Sequence, residues 1–511
     1  MNKRTLIPAT LVLLKFFLQY FLVNEVYELH RDEFLHLDQA NHLAWGYFST
    51  PPFTSWVSWL IRALGNSEFW VHFFPALFGA LTLVVVWKIT EEMKGSLYAS
   101  VLAALCILFS PLLRLNGLFQ PNSFDVLAWT SVYYFLIRYV RTDQSRWLFG
   151  VAILLGLGFL NKYNIAFLVM GLLPALLLSP QRKLFLRKEF YGAALLALLI
   201  ILPNLIWQYQ NHFPVFYHMH LLQKYHLVHV NRADFLTDQV LYFLGALPAI
   251  LASFYALLRY EPFARYRFLL WSFIFTLGIF LFFKAKSYYA IGLYPVYIGL
   301  GAVYLAEVLE TGRKRYLRPV LAGLPVLYLL LIILVEFPVR TPEQFVEFAK
   351  RRPALGMHRW EDGKKYPLSQ DFADMIGWKE LAEKTEKIYQ TLPEKDQVLI
   401  LCDNYGQAGA INYYSRGRLR ADSFHADYLG WFDLSKPYRH LIRIKDAGHR
   451  ADEMQETAPL FETALLADSI ANPYAREYKT DIFVFKNARI SINERVREEI
   501  EGEQREMRRN D

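Results

Sequence analysis

Apolar runs recur along the chain near 6–23, 70–90, 97–114, 123–140, 147–161, 163–179, 190–208, 236–258, 268–283, 288–308 and 319–337. A hydrocarbon core needs about 20 apolar residues per helix, so the pattern predicts about eleven transmembrane helices. The run from 147 to 179 is interrupted at Asn161, Lys162 and Asn164, and reads as one bent helix or as two. Sidedness decides between them. With the start of the chain in the cytoplasm, the loops after every second span carry Lys88 and Lys94, then Arg138, Arg141 and Arg146, then Arg182, Lys183, Arg187 and Lys188. The later ones carry Arg259, Arg265 and Arg267, then Arg313, Lys314, Arg315 and Arg318. Cytoplasmic loops are enriched in lysine and arginine. Merging 147–179 into one span would place the later basic loops outside, so an odd number of spans and an external C-terminal tail follow.

Beyond Pro338 the pattern turns mixed and polar. A helix is expected over Trp378–Thr391 and a strand over Val398–Cys402. A turn at Asp403–Gly406 leads to another helix, a second β-rich string covers Asp481–Phe485, and a charged helix or tail runs from Asn493. The chain therefore divides into a transmembrane domain, 1–338, whose first outside loop is 24–69, and a soluble α/β domain, 339–511.

Composition agrees with a lipid solvent: of 511 residues 54% are hydrophobic and 16% aromatic, more apolar surface than one soluble core buries. The net charge of +8 lies in short clusters between apolar runs, which fits membrane orientation rather than nucleic-acid binding. Of the two cysteines, Cys106 lies in an apolar run and Cys402 in the polar tail, so no disulfide framework is expected. No small-residue cleavage site precedes Phe21 and Leu22, and the first run reads as an uncleaved span.

Chemistry gathers at the outer ends of the spans. Asp32 and Glu33 stand in the first outside loop, where a carboxylate can take the proton of an acceptor hydroxyl; the plainer reading is an acidic pair in the first turn of a helix. Asn116, Gln120, Asn122 and Asp125 follow, then Asn161, Lys162 and Tyr163, then Lys284, Lys286, Tyr288 and Tyr289. Lysines on the outer side run against the orientation rule and suggest an anionic ligand such as a departing phosphate. Snorkelling to the headgroups is the alternative for each one singly. His212, His218, His220, His226 and His229 crowd the loop 208–234 without a zinc-ligand spacing, so no metal and no other cofactor is expected. Gly-rich phosphate loops, nucleotide fingerprints and nucleophile elbows are absent from the sequence.

The order Asp32-Glu33, Gly46-Tyr47, Pro51-Pro52, Lys286-Ser287-Tyr288-Tyr289 and Tyr294-Pro295 resembles glycosyltransferase family 39, which includes protein O-mannosyltransferases and the bacterial lipid A aminoarabinose transferases. The tail segment Asn404–Ile411 is similar to one in bacterial members. The resemblance implies a mainly α, polytopic membrane protein of the C-type glycosyltransferase fold, with a polyprenyl-phosphate sugar donor and inverting transfer without a nucleotide. It matches Asp32 to the catalytic aspartate, with Glu33 as its supporting neighbour. It makes Lys162, Lys284, Lys286, Tyr288, Tyr289 and Asp125 candidates for binding the carrier phosphate or sugar. The acceptor would be an envelope lipid, glycan or protein, and the site would face the periplasm from a bacterial inner membrane. Many relatives carry an acid and a histidine before the Pro-Pro pair, where this chain has Ser49 and Thr50. A flippase for lipid-linked sugars predicts repeat symmetry and ionisable residues at the bilayer midplane, and a glycan-binding receptor would leave the outer lysines without a purpose.

Overall fold

The computed structural model describes residues 3–225, 230–353 and 358–509. Its first part is helical: α1 (Lys3–Phe21), α2 (Arg31–Asp38), α3 (Phe53–Ala63), α4 (Glu68–Glu92), α5 (Leu97–Leu108), α6 (Leu112–Leu115), α7 (Asn122–Thr142) and α8 (Arg146–Asn161). There follow α9 (Ile165–Leu177), α10 (Lys188–Gln210), α11 (Pro214–Tyr225), α12 (Arg232–Leu241), α13 (Leu247–Arg259), α14 (Phe268–Phe282), α15 (Tyr294–Val308) and α16 (Leu317–Glu336). Every apolar run read from the sequence falls on a helix or a broken helix pair. Among the described residues five helices are long and apolar enough to cross a membrane, or up to seven if each bent pair counts as one span. The chain is thus a multi-pass membrane protein. The 147–179 run is divided: α8 stops at Asn161, Lys162 is extended (φ −159°, ψ 128°), and α9 begins at Ile165.

Small residues bring the helix backbones together. A Cβ added at Gly301 of α15 would lie 1.7 Å from the Ala249 carbonyl oxygen of α13, and one at Gly171 of α9 would lie 1.9 Å from Thr276 Oγ1 of α14. Such close approach is the membrane substitute for hydrophobic driving force, because lipid tails are as apolar as leucine. The peripheral helices keep leucines outward, among them Leu195, Leu198 and Leu199 on α10 and Leu327, Leu330 and Leu331 on α16. In water such surfaces would be a liability, and in a bilayer they are solvated.

After α16 come α17 (Pro342–Lys350), α18 (Gln370–Ala373), α19 (Trp378–Gln390), β1 (Val398–Cys402), α20 (Tyr405–Tyr414), β2 (Ala421–Ser423) and β3 (His440–Lys445). The chain ends with α21 (Arg450–Thr457), β4 (Phe461–Ser469), β5 (Asp481–Ala488) and α22 (Ile492–Arg509). The strands form one sheet in the order β2-β1-β3-β5-β4, parallel at β1/β2 and β1/β3 and antiparallel around β5. Alternation sorts the side chains onto two covered faces. Ile400, Cys402, Ile442, Ile444, Ile482 and Val484 share a core with Phe34, Leu35 and Leu37 of α2. Leu399, Leu441, Phe483 and Phe485 pack on Ile492 and Val496 of α22. The first interhelical segment and the C-terminal sheet are therefore built around one hydrophobic cluster. Cys106 and Cys402 are both free and buried.

Candidate active site

Asp32 and Glu33 occupy the first turn of α2 and have different surroundings. The helix is capped by His30, whose Nδ1 accepts from the Asp32 amide while Glu33 reaches back to the His30 amide. This capping box satisfies two amides that a helix start otherwise leaves bare. Glu33 points inward and is fully buried. It accepts from the His30 amide at 2.7 Å and the Phe119 amide at 2.6 Å, and it faces His72 Nε2 at 3.4 Å. Burial alone would raise its pKa, but His72 and the two amides hold the carboxyl below the usual range. Glu33 thus ties the chain around Phe119 to the helix that carries Asp32.

Asp32, the residue before it in the turn, is partly buried. Its Oδ1 accepts from Tyr405 Oη at 2.6 Å and its Oδ2 from Gln120 Nε2 at 3.1 Å. Burial works to raise its pKa, and His30, the Tyr405 hydrogen bond and Arg31 outweigh that and hold it below the ordinary carboxylate value. The group is ionised at neutral pH, with lone pairs left for a further donor.

From Gln120 the polar contacts continue away from Asp32. Gln120 Oε1 accepts from Asn122 Nδ2 at 2.9 Å, and Asn122 Oδ1 accepts from Lys162 Nζ at 2.8 Å. Lys162 Nζ also stands over the rings of Tyr289 and Tyr288, 4.3 and 5.1 Å from their centroids. An unbroken row of side chains therefore joins the carboxylate to an ammonium. The break after α8 makes this possible, since the extended Lys162 backbone lets Asn161 bond the Pro121 carbonyl at 2.8 Å.

The remaining sequence candidates divide. Asp125 is buried and accepts from Trp129 Nε1 and Asn164 Nδ2, each at 2.9 Å, and Asn164 also bonds the Tyr289 carbonyl at 3.0 Å. Asp125 thereby fixes the segment that carries Tyr288 and Tyr289. Lys286 pairs with Glu361 at 2.9 Å. Lys284 is exposed, at a left-handed φ of 52°, beside the exposed Phe282 and Phe283, and joins none of these contacts. His226 and His229 lie outside the described residues. Among the described residues no group of three or more His, Cys, Asp or Glu is placed to hold a metal ion.

Sequence reasoning did not foresee how much of this site comes from the C-terminal sheet. The loops at the carboxyl ends of parallel strands are where open α/β sheets place functional groups, and here they face α2. After β1, Tyr405 donates to Asp32, and the Arg31 guanidinium lies 4.4 Å from its ring centroid. After β2, Asp427 accepts from Gln39 Nε2 at 2.7 Å, Ser49 Oγ at 2.9 Å and the Ser49 amide at 3.1 Å. The chain lacks an acid just before Pro51, and a buried one reaches Ser49 from the distant domain. The one signal available was the segment Asn404–Ile411, which contains Tyr405.

A helix bundle with a mixed sheet closed over one end is a fold this chain shares with solved structures. The crystal structure of ArnT from Cupriavidus metallidurans bound to undecaprenyl phosphate superposes with a TM-score of 0.61 at 15% identity, covering 94% of this chain and 97% of that one. The apo state of the same protein gives 0.59 at 16% identity, covering 93% and 97%. At this identity the likeness is one of fold. Residues 49–207 match the family described as Dolichyl-phosphate-mannose-protein mannosyltransferase. The lipid A galacturonosyltransferase RgtD of Rhizobium johnstonii is 29% identical over 190 residues, which is 34% of this chain and 38% of that relative's length. Both findings agree with the family resemblance read from Asp32-Glu33 through Tyr294-Pro295.

Proposed function

We propose that the protein is a membrane glycosyltransferase that moves a sugar from a polyprenyl-phosphate carrier to a hydroxyl of a cell-envelope acceptor. The observation that carries this reading is the row Asp32–Gln120–Asn122–Lys162, which fixes a base and a cation at one end of the bundle. Asp32 accepts the acceptor's hydroxyl proton as that oxygen bonds to the anomeric carbon. The bond from the anomeric carbon to the phosphate oxygen breaks, and the electron pair leaves with the polyprenyl phosphate. Lys162, with Lys286 nearer the surface and the Tyr288 hydroxyl, offsets the charge growing there. A carboxylate held below its usual pKa is a weak base. It suffices because the attacking hydroxyl becomes strongly acidic as its oxygen gains a bond.

The same reading makes each of the eleven apolar runs a span and puts the C-terminal domain outside, in the periplasm. Charge placement supports it. At one end of α4, Glu68 pairs with Lys379 of the C-terminal domain at 3.1 Å, and at the other Glu92 meets Arg138 and Arg141. The arginine end is cytoplasmic by the orientation rule.

The test is transfer of labelled sugar from polyprenyl-phosphate donors to extracted envelope lipids and proteins by the purified chain and its Asp32→Asn variant. Loss of about 10²–10⁴-fold is expected for a general base. Full activity in the variant would remove Asp32 from the mechanism, and donor translocation without transfer by the parent would replace the enzyme with a flippase.

A further inference from the structure

Beside the proposed catalytic end lies a cavity of 440 Å³ that the transfer mechanism does not use. Small-molecule sites span about 300–1,000 Å³. Its walls come from four distant parts of the chain: His42 and Tyr47 after α2, Trp207 at the end of α10, Asp427 and Trp431 after β2, and Gln504 on α22. His42 and Trp431 lie face to face, 4.3 Å between centroids and 9° between planes. Gly46 lets the loop lie flat on Trp207, since a Cβ there would come within 2.4 Å of the indole. Asp427 spends three acceptor positions on Gln39 and Ser49, which leaves one for a ligand. Among the described residues that line the cavity there is no lysine or arginine.

Flat rings interspersed with uncharged hydrogen-bonding groups such as Gln210, Asn211 and Gln504 suit the apolar C–H faces and scattered hydroxyls of a pyranose. A phosphate would meet the Asp427 carboxylate there and no lysine or arginine. Depth is set by Trp45, half-exposed beside the cavity, whose carbonyl accepts from Asn204 of α10 at 2.7 Å. Tryptophan marks the bilayer interface. From Asp32 to Gln39, which touches Asp427, α2 rises about 10 Å.

We propose that this cavity binds an uncharged saccharide ring in the headgroup of a glycolipid acceptor, so that a neighbouring ring, not the bound one, presents its hydroxyl to Asp32. The assignment rests on the glycosyltransferase reading and narrows its acceptor to an oligosaccharide whose phosphates are dispensable. The lysine side of the site is thereby left to the carrier phosphate.

Headgroup oligosaccharides released from the envelope glycolipids of the source organism are offered, native or dephosphorylated with hydrofluoric acid, to the full-length protein in phosphatidylethanolamine and phosphatidylglycerol nanodiscs. Saturation-transfer NMR is expected to mark ring C–H protons of both forms. Trp431→Ala should raise the half-saturating concentration about tenfold, and Trp431→Phe should restore most of it. With intact glycolipids, Trp431→Ala should raise the acceptor KM more than it lowers kcat. Signal from the phosphorylated form alone, signal from neither, or binding indifferent to Trp431→Ala overturns the assignment. Headgroup binding by a parent that transfers no sugar would instead strike at the glycosyltransferase reading.

Discussion

Replacing Tyr405 by Phe removes one hydroxyl and leaves a ring of the same shape for Arg31 to stack on. What is lost is the 2.6 Å donation to Asp32 Oδ1. A hydrogen bond to a charged group is worth about 1.5–3 kcal/mol, and one pKa unit corresponds to about 1.4 kcal/mol. The Asp32 pKa, held below its usual value in the parent, should therefore rise by about one to two units. The sign follows from the role of the group. The carboxylate must be ionised to accept a proton, so the acid limb of the transfer rate moves to higher pH. Below both pKa values the variant should be about 10- to 100-fold slower, and near pH 7, where both forms are ionised, the difference should shrink. The assay is transfer of labelled sugar from a polyprenyl-phosphate donor between about pH 3 and 8, with Asp32 and its surroundings otherwise intact. An acid limb that coincides with the parent's, or moves to lower pH, would refute the claim that the Tyr405 hydrogen bond helps hold the Asp32 pKa down.

Glu33→Gln should lower thermal stability, by about 3 kcal/mol if it behaves as a broken buried pair does. Because its pKa is depressed, Glu33 contributes stability above its unfolded value of about 4.3, and the contribution disappears as pH falls below it. Melting curves of the parent should therefore weaken on acidification more steeply than those of Glu33→Gln, whereas Asp32→Asn should melt close to the parent. Lys162→Ala should weaken binding of labelled polyprenyl phosphate about tenfold; unchanged affinity would move the carrier phosphate elsewhere. Glu361→Gln removes a half-exposed partner of Lys286, so stability should change by less than about 1 kcal/mol in a melting assay.

How much of this could be read in the sequence depends on how local the cause is. The helices were legible because lipid demands long apolar runs whatever the neighbours are. The division at Asn161-Lys162 was legible from charge sidedness alone. Within the C-terminal part, Val398–Cys402 carried its strand signal in its own residues and is a strand over those bounds. The lysines show where local reasoning ends. Sidedness places Lys162, Lys284 and Lys286 at one depth and says nothing about direction around the bundle. In the structure Lys162 joins the row to Asp32, Lys286 turns to Glu361, and Lys284 stands apart. Tyr405 was harder still: it acts across 373 residues of chain, and a tyrosine at the start of a soluble helix carries no sign of that.

The adjacent acids show why the C-terminal domain belongs to the site. Successive residues in a helix point about 100° apart, so one turn cannot place Asp32 and Glu33 in the same environment. Glu33 faces the bundle, and its partners His72 and Phe119 belong to the transmembrane part. Asp32 faces the space between the bundle and the sheet, with one oxygen bonded to each: Gln120 from below and Tyr405 from above. Arg31, before it in the chain, donates its amide to the Asp374 carbonyl at 2.9 Å, and Arg476 holds the Asp374 side chain at 2.8 Å. Half of the Asp32 setting is thus supplied by residues beyond Pro338. A chain ended there would keep Glu33 and its anchors but lose the Tyr405 donor to Asp32, together with Asp427 and Trp431 of the aromatic cavity. On this reading the cap is part of the catalytic end, and an acceptor has to enter between it and the membrane.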